Sequence, residues 1–444
     1  MIEKIAAALW GHFESREELK KFGLLALLFG LIIGTYWTMR PLKDSIFNAM
    51  VGGQYLWLAK IVSIFVITPL VIFYSKLVDM FPRHKVFYLL TFLYIITALC
   101  FMGAFLQPTI GLANTVTSPT RYLGWAWYAF VESYGSLLVV LFWAFTTDIT
   151  LPDAAKRGFP LIALFGQLGN IIGPYFLNTK SLGLGTSAPI VGICAIIMFM
   201  SCLVMWFFRY TIPKQLLVGY QPVVIDKKKK SSVFLEGLSL LFTHKYLLSI
   251  FSIITIYEVI VTIIDYHFMQ TAFATFISEA DVSAFLAQYG YRVGMVSSLC
   301  VLFGINNIQR HLGMKASLML LPILILIAVV IVRGNPGSLT IALWVMVFSK
   351  AVNYALNQPT IKQLYIPTSH DSKYKAQAWI DMFGSRGSKA SVQFFNAFRS
   401  TLGADFFLTI TMIMSFGFVI SWILIALFVA DTYNKAIQEN QIVC

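Results

Sequence analysis

The sequence predicts an all-α polytopic membrane protein, with about twelve transmembrane helices arranged as two six-helix bundles. Three observations predict it. Of 444 residues, 58% are hydrophobic and 12% charged, and the mean hydropathy is +0.76, a balance no soluble domain carries. Apolar runs of roughly 18 or more residues recur along the chain, each long enough to cross the hydrocarbon layer as a helix. The runs are continuous rather than alternating, which excludes a membrane β-barrel.

Residues 1–21 read as an interfacial helix: Ile2, Ile5, Ala6, Leu9, Trp10 and Phe13 recur at helical spacing, and a charged segment from Glu14 to Lys21 follows. Behind that segment, the first apolar run reads as a retained span rather than a cleaved signal. The N-terminal bundle covers 22–209, with spans at about 22–50, 54–79, 86–106, 122–150, 159–178 and 188–209. Gly52-Gly53 ends the first span. The second carries Lys60 and Pro69, and the fourth carries Glu132 and Asp148. The fifth is rich in small residues (Gly166, Gly169 and Gly173, then Pro174), which let helices approach closely.

Residues 210–245 are polar and hold Lys214 and a block from Lys227 to Lys230. They read as a cytoplasmic basic linker, since lysines stay on the inner side of a membrane. The C-terminal bundle covers 246–430, with spans at about 246–276, 284–308, 316–332, 339–363, 376–399 and 404–430, and 431–444 form a cytoplasmic tail. The connection Gln309 to Lys315 resembles Phe81 to Lys85, and Phe383-Gly384 with Gly387 resembles Phe165-Gly166 with Gly169. Both similarities fall about half a chain apart, the mark of transporters built from repeated halves. Six spans, a basic middle loop and six more spans, with both termini inside, fit a major-facilitator-like architecture.

The net charge of +13 sits largely in short connections such as Arg83-His84-Lys85 and Lys156-Arg157, where it orients the chain; no nucleic-acid partner is expected. Cys100, Cys194, Cys202 and Cys300 lie in apolar stretches and Cys444 is the last residue, with no metal or disulfide spacing. The six histidines (His12, His84, His244, His267, His311 and His370) are scattered without ligand spacing. There is no P-loop, no H-E-x-x-H and no nucleophile elbow. The chain is therefore expected to be no enzyme, to need no cofactor, and to work by gradients or exchange.

The informative residues are charges at membrane depth, which cost roughly 2.5–3.5 kcal/mol each on insertion scales and persist where they meet a partner or a watery cavity. Arg40, Lys43 and Asp44 fall inside or just past the first apolar run. Arg40 and Asp44 are four apart and can pair along one face, which leaves Lys43 to look elsewhere. Other groups away from span ends are Lys60, Arg292, Lys350, Arg386 and Lys389, with Glu132, Glu258, Asp265 and Asp381. Lys350, Asn353, Tyr354 and Asn357 give the tenth span one polar face. Ser385, Lys389, Gln393 and Asn396 do the same for the eleventh, and Glu258, Thr262 and Asp265 for the seventh. A water-filled cavity is expected beside these faces. Tyr36, Trp125, Tyr128 and Tyr354 are placed to stack on a planar ring. A cavity lined by lysine and arginine suits an anion, phosphate above all.

The ordered motifs resemble one family. Glu18-Leu19-Lys20-Lys21-Phe22 followed by Arg40-x-x-Lys43-Asp44 is similar to the ATP/ADP translocases of plastids and intracellular bacteria. So are Glu132-x-x-Gly135-Ser136 with Phe142-Trp143 and Ile149-Thr150, Ile256-Tyr257-Glu258-Val259, and Ser349-Lys350-Ala351-x-x-Tyr354 with Pro359-Thr360 and Tyr365-Ile366-Pro367. Lys375-Ala376-Gln377-Ala378-x-Ile380-Asp381 and Arg386-Gly387 extend the resemblance over nearly the whole chain. It implies a twelve-span carrier exchanging ATP for ADP by alternating access, in which Lys43, Glu132 and Glu258 matter for transport. Around the phosphates we expect Lys43, Arg40, Lys350, Asn353, Tyr354, Arg386 and Lys389. Glu132, Glu258, Asp265, Asp44 and Asp381 are expected to gate or couple.

Three positions depart from the family pattern. Ile361-Lys362 stands where a Lys-Glu pair is usual. Thr262, Asp265 and Tyr266 occupy the neighbourhood of seventh-span lysines, and Tyr134 replaces a tryptophan. Fewer lysines leave open the same scaffold carrying another phosphorylated metabolite or an organic anion, with or without protons; a non-transporting sensor is the third alternative. The expected setting is a bacterial inner membrane, multi-pass, with the carrier a monomer in the bilayer.

Overall fold

Ser15 starts the first helix by local chemistry. Its hydroxyl accepts from Glu18 N at 3.0 Å, Glu18 Oε2 accepts from Glu14 N at 2.7 Å, and Glu17 and Glu18 place negative charge at the helix N-terminus. The computed structural model describes residues 13–217, 240–302, 306–365, 367–368, 380, 384, 387–439 and 441–443. In it α1 (Arg16–Met50) runs unbroken from this cap into the first apolar run, so the charged segment forms the opening turns of the span itself. The rest of the expected interfacial helix, residues 1–12, and most of the expected linker lie outside the described residues.

The helices that follow are α2 (Leu56–Met80), α3 (Arg83–Leu106), α4 (Tyr122–Asp148), α5 (Pro152–Phe176), α6 (Ala188–Thr211), α7 (Lys245–Thr275), α8 (Glu279–Leu302) and α9 (Asn306–Gly334). Then come α10 (Leu339–Val352), a π-helical turn (Asn353–Asn357), α11 (Gln358–Gln363), α12 (Ser388–Asn396) and α13 (Ala404–Gln438). Among the described residues ten helices are long and apolar enough to cross a membrane. α8 is as long as α3 but more polar, with Gln288, Arg292, Ser297 and Ser298 in its length. The chain divides into two compact units, Met1–Val223 with Phe276–Gly294, and Val224–Thr275 with Met295–Cys444.

In the first unit α1 is the central helix, packing on α4, α5 and α6. Its seam with α5 is built from glycine. A Cβ on Gly169 would stand 2.3 Å from Gly30 O, and one on Gly173 would stand 2.6 Å from Gly34 O, so these backbones meet only because no side chain intervenes. Gly169→Ala should lower the thermal midpoint of the purified protein in detergent, at a cost of about 1–3 kcal/mol for overpacking. Gly103→Ala, where nothing lies within 4 Å of the new methyl, should leave the midpoint in place. Equal midpoints for the two variants would contradict the close approach.

The two ends of this unit are pinned differently. At one end Arg157 Nη2 donates to Glu18 Oε1 at 2.8 Å, Arg83 pairs with Asp148, and Lys21 Nζ donates to the carbonyls of Ile149 and Leu216. At the other, the Arg121 guanidinium gathers the carbonyls of Ile110, Gly111, Asn114 and Val116 and holds the loop before α4.

In the second unit α7 packs on α10, α12 and α13, and α9 lies along α13. α9 is broken at Gly313, whose φ of +80° only glycine adopts freely, within the connection expected at Gln309 to Lys315. The π-helical turn precedes Pro359. Proline brings no N–H and its ring crowds the carbonyl four residues back, and a widened turn accommodates both.

Candidate functional site

Among the described residues, each unit brings a lysine of one helix against a glutamate of another. In the first unit, Lys43 on α1 pairs with Glu132 on α4 through Nζ and Oε1, and Asp44 Oδ1 lies 3.7 Å from the same Nζ. The Lys43 side chain is 7% exposed and that of Glu132 28%. Burying one lysine among two carboxylates offsets desolvation that none of the three would bear alone. The ammonium also sits 4.4 Å from the centroid of the Tyr128 ring, whose electron-rich face favours a cation.

The surroundings fix this geometry. Trp127 Nε1 donates to Leu42 O at 3.2 Å, which ties α4 to α1 one residue before Lys43. Tyr94 OH donates to Ser133 Oγ at 3.0 Å, next to Glu132. Gly135 exists for Tyr36: a Cβ there would lie 2.4 Å from the Tyr36 ring, so the glycine three residues after Glu132 is a seat for that aromatic. Arg40, one turn before Lys43, lies over the Trp37 ring at 4.6 Å. Lys43 itself is engaged with both Asp44 and Glu132.

In the second unit, Lys389 on α12 lies 3.2 Å from Glu258 Oε2 on α7. Here the lysine side chain is 46% exposed and the glutamate 9%. Thr262 is buried beside Glu258 on the same helix, and Asp265 is half-buried. Lys350 is half-buried at the end of α10.

The polar face expected along the tenth span is split by the π-helical turn. Asn353 and Asn357 are buried and bond to each other, Nδ2 to Oδ1 at 2.8 Å, whereas Tyr354 is exposed. Along α12, Gln393 and Asn396 are likewise buried, with Asn396 Nδ2 donating to Gln393 Oε1 at 3.3 Å, and Lys389 is exposed. Ser385, Arg386 and Asp381 lie outside the described residues. Tyr134 is buried, with its ring edge-on to Tyr94 at 5.2 Å.

Spacing rules do not foresee the Lys43–Glu132 and Lys389–Glu258 contacts, because the partners are 89 residues and more apart in the chain. The resemblance named three of these four residues without joining them. It also passed over Glu279, half-buried and bound by Ser45 and Ser187 at the start of α8, for which the only signal was an acidic residue in a first helical turn.

The family model described as TLC ATP/ADP transporter matches residues 1–433. The chain is 25% identical to "ADP,ATP carrier protein 1" of Rickettsia prowazekii (strain Madrid E), over 96% of this chain and 95% of that one. It is 24% identical to "ADP,ATP carrier protein 2, chloroplastic" of Arabidopsis thaliana, over 96% of this chain and 76% of the relative. Among solved structures, the nucleoside transporter NupG superposes with a TM-score of 0.62 at 15% identity, covering 92% of this chain and 99% of that one. A peptide transporter, POT, superposes at 0.64 and 13%, covering 96% and 98%. The fold is therefore all-α and major-facilitator-like, and the protein is a multi-pass membrane transporter, not an enzyme. The chain belongs to the TLC ATP/ADP transporter family.

Proposed function

We propose that the protein exchanges ATP for ADP across a membrane by alternating access, and that its two lysine–glutamate pairs are the places where nucleotide phosphate is received. The observation that carries this reading is the pairing itself: Lys43 with Glu132 and Lys389 with Glu258. In the empty carrier each glutamate keeps its lysine neutralised. A polyphosphate brings more charge and more acceptor oxygens than one carboxylate, so it takes the lysine over. Release hands the lysine back to its glutamate, and the empty carrier never strands a bare ammonium at depth.

Arg40, stacked on Trp37, supplies a further cation on the helix that carries Lys43. Lys350, Asn353, Tyr354 and Arg386 complete the substrate set, and Asp44, Asp265 and Asp381 balance its charge. Positive connections keep both termini in the cytoplasm of a bacterial inner membrane, and the carrier acts as a monomer.

The test is exchange in liposomes preloaded with ADP, followed by uptake of labelled ATP. Uptake that needs internal nucleotide supports exchange. The buried Ile361 and Thr262, standing where the family places charge, favour a second reading in which a smaller anion is carried. Uptake of a sugar phosphate or dicarboxylate with no movement of ATP or ADP would establish that reading and overturn the first.

A further inference from the structure

We propose that Glu279 is a gating residue, a carboxylate latch that holds the start of α8 on the first unit and lets go whenever the carrier opens at that end. The proposal rests on transport by alternating access, read above. Residues 276–294 belong to the first unit, although the chain before them, through Thr275, and after them, from Met295, belongs to the second. The segment is thus leashed to the second unit at both ends, by a three-residue turn before Glu279 and by the unbroken helix α8 after it. α8 keeps helical backbone across the boundary at Gly294, so the segment is expected to move with the part of the helix in the second unit. Any movement between the units must drag the segment off the surface it occupies.

That surface is held by a small set of polar contacts gathered on Glu279. Ser45 Oγ on α1 donates to its Oε1 at 2.8 Å, and Ser187 Oγ donates to the same oxygen at 2.6 Å. Ser187 N donates to Oε2 at 3.1 Å. Ser187 is the residue that caps α6, so the carboxylate supplies negative charge at the N-terminus of a helix nearly a hundred residues earlier in the chain. Beside it, Thr179 Oγ1 donates to Ala280 O at 2.6 Å. Ser45 and Ser187 are fully buried, and Thr179 nearly so. Among the described residues the contacts of Glu279 come from neutral donors. A carboxylate bound by hydroxyl and amide groups is held firmly yet can be let go, since its departure strands no opposite charge. The lysine–glutamate pairs lack that property. Further along α8, a Cβ on Gly290 would stand 3.7 Å from the Trp37 ring and one on Gly294 2.8 Å from Ile171, Tyr291 meets Tyr175 edge-on at 5.2 Å, and Leu286, Ala287 and Val293 are buried.

The experiment places spin labels at Lys180 and Ile277, both exposed, in a background freed of the native cysteines. Distances are then read by pulsed electron resonance in nanodiscs without nucleotide. The parent should give mainly one short distance. Glu279→Ala should move at least half of the molecules to a longer distance, and Ser45→Ala, which removes one donor from the opposite side and leaves Glu279 in place, should shift them the same way to a smaller extent. An unchanged short distance in either folded variant would overturn the latch and leave Glu279 a structural cap of α6. Because no nucleotide is present, this result stands apart from the liposome assay. A carrier that moves some other solute would still show the shift, and a true ATP/ADP exchanger could fail to.

Discussion

Lys43→Ala should abolish nucleotide exchange, to less than about one part in a hundred of the parent rate. Lys43 lies against both Glu132 and Asp44, and it is nearly fully buried. Removing it deletes the charge proposed to receive phosphate. It also takes a close cation away from Glu132 and Asp44, a change worth about 3–5 kcal/mol when one partner of a buried pair is lost. Loss of transport alone would therefore be ambiguous. The double variant Lys43→Ala with Glu132→Gln separates the two effects. Neutralising the stranded glutamate should return much of the thermal stability, and exchange should stay absent. Recovery of exchange in the double variant would mean that Lys43 serves only to neutralise Glu132.

Glu132→Gln alone should act in the opposite direction on binding. If the glutamate competes with nucleotide for Lys43, its neutral isostere removes the competitor and frees the ammonium for phosphate. Affinity for ADP should rise about tenfold, equivalent to about 1.4 kcal/mol. Turnover should fall by at least as much, because release no longer returns the lysine to a waiting carboxylate. Titration calorimetry on purified protein and exchange rates in liposomes read the two effects separately. Weaker binding together with slower exchange would assign Glu132 to substrate contact or to proton coupling instead.

The spans were legible because hydropathy and length suffice for them. α2, α4, α6, α7, α10 and α13 start within two residues of the expected positions, and Gly169 and Gly173 pointed to a close helix contact, which α1 supplies. What escaped the sequence has physical reasons. The reading of the tenth span assumed 3.6 residues per turn, and a π-helical turn at Asn353–Asn357 breaks that period, burying both asparagines against each other and leaving Tyr354 exposed. The opening turns of α1 looked like a separate interfacial piece because Glu14 to Lys21 is charged. Glu18 and Lys21 are in fact buried, satisfied by Arg157 and by the carbonyls at Ile149 and Leu216, partners that lie far along the chain. The same limit applies to Lys43, whose contact with Glu132 depends on how α1 and α4 pack.

The most direct measurement is an experimental structure of the carrier with ADP bound. Phosphate oxygens should lie within hydrogen-bonding distance of Nζ on Lys43 or Lys389, with the matching glutamate carboxylate moved off that lysine. Both lysine–glutamate pairs intact, with the nucleotide held by other residues, would contradict it.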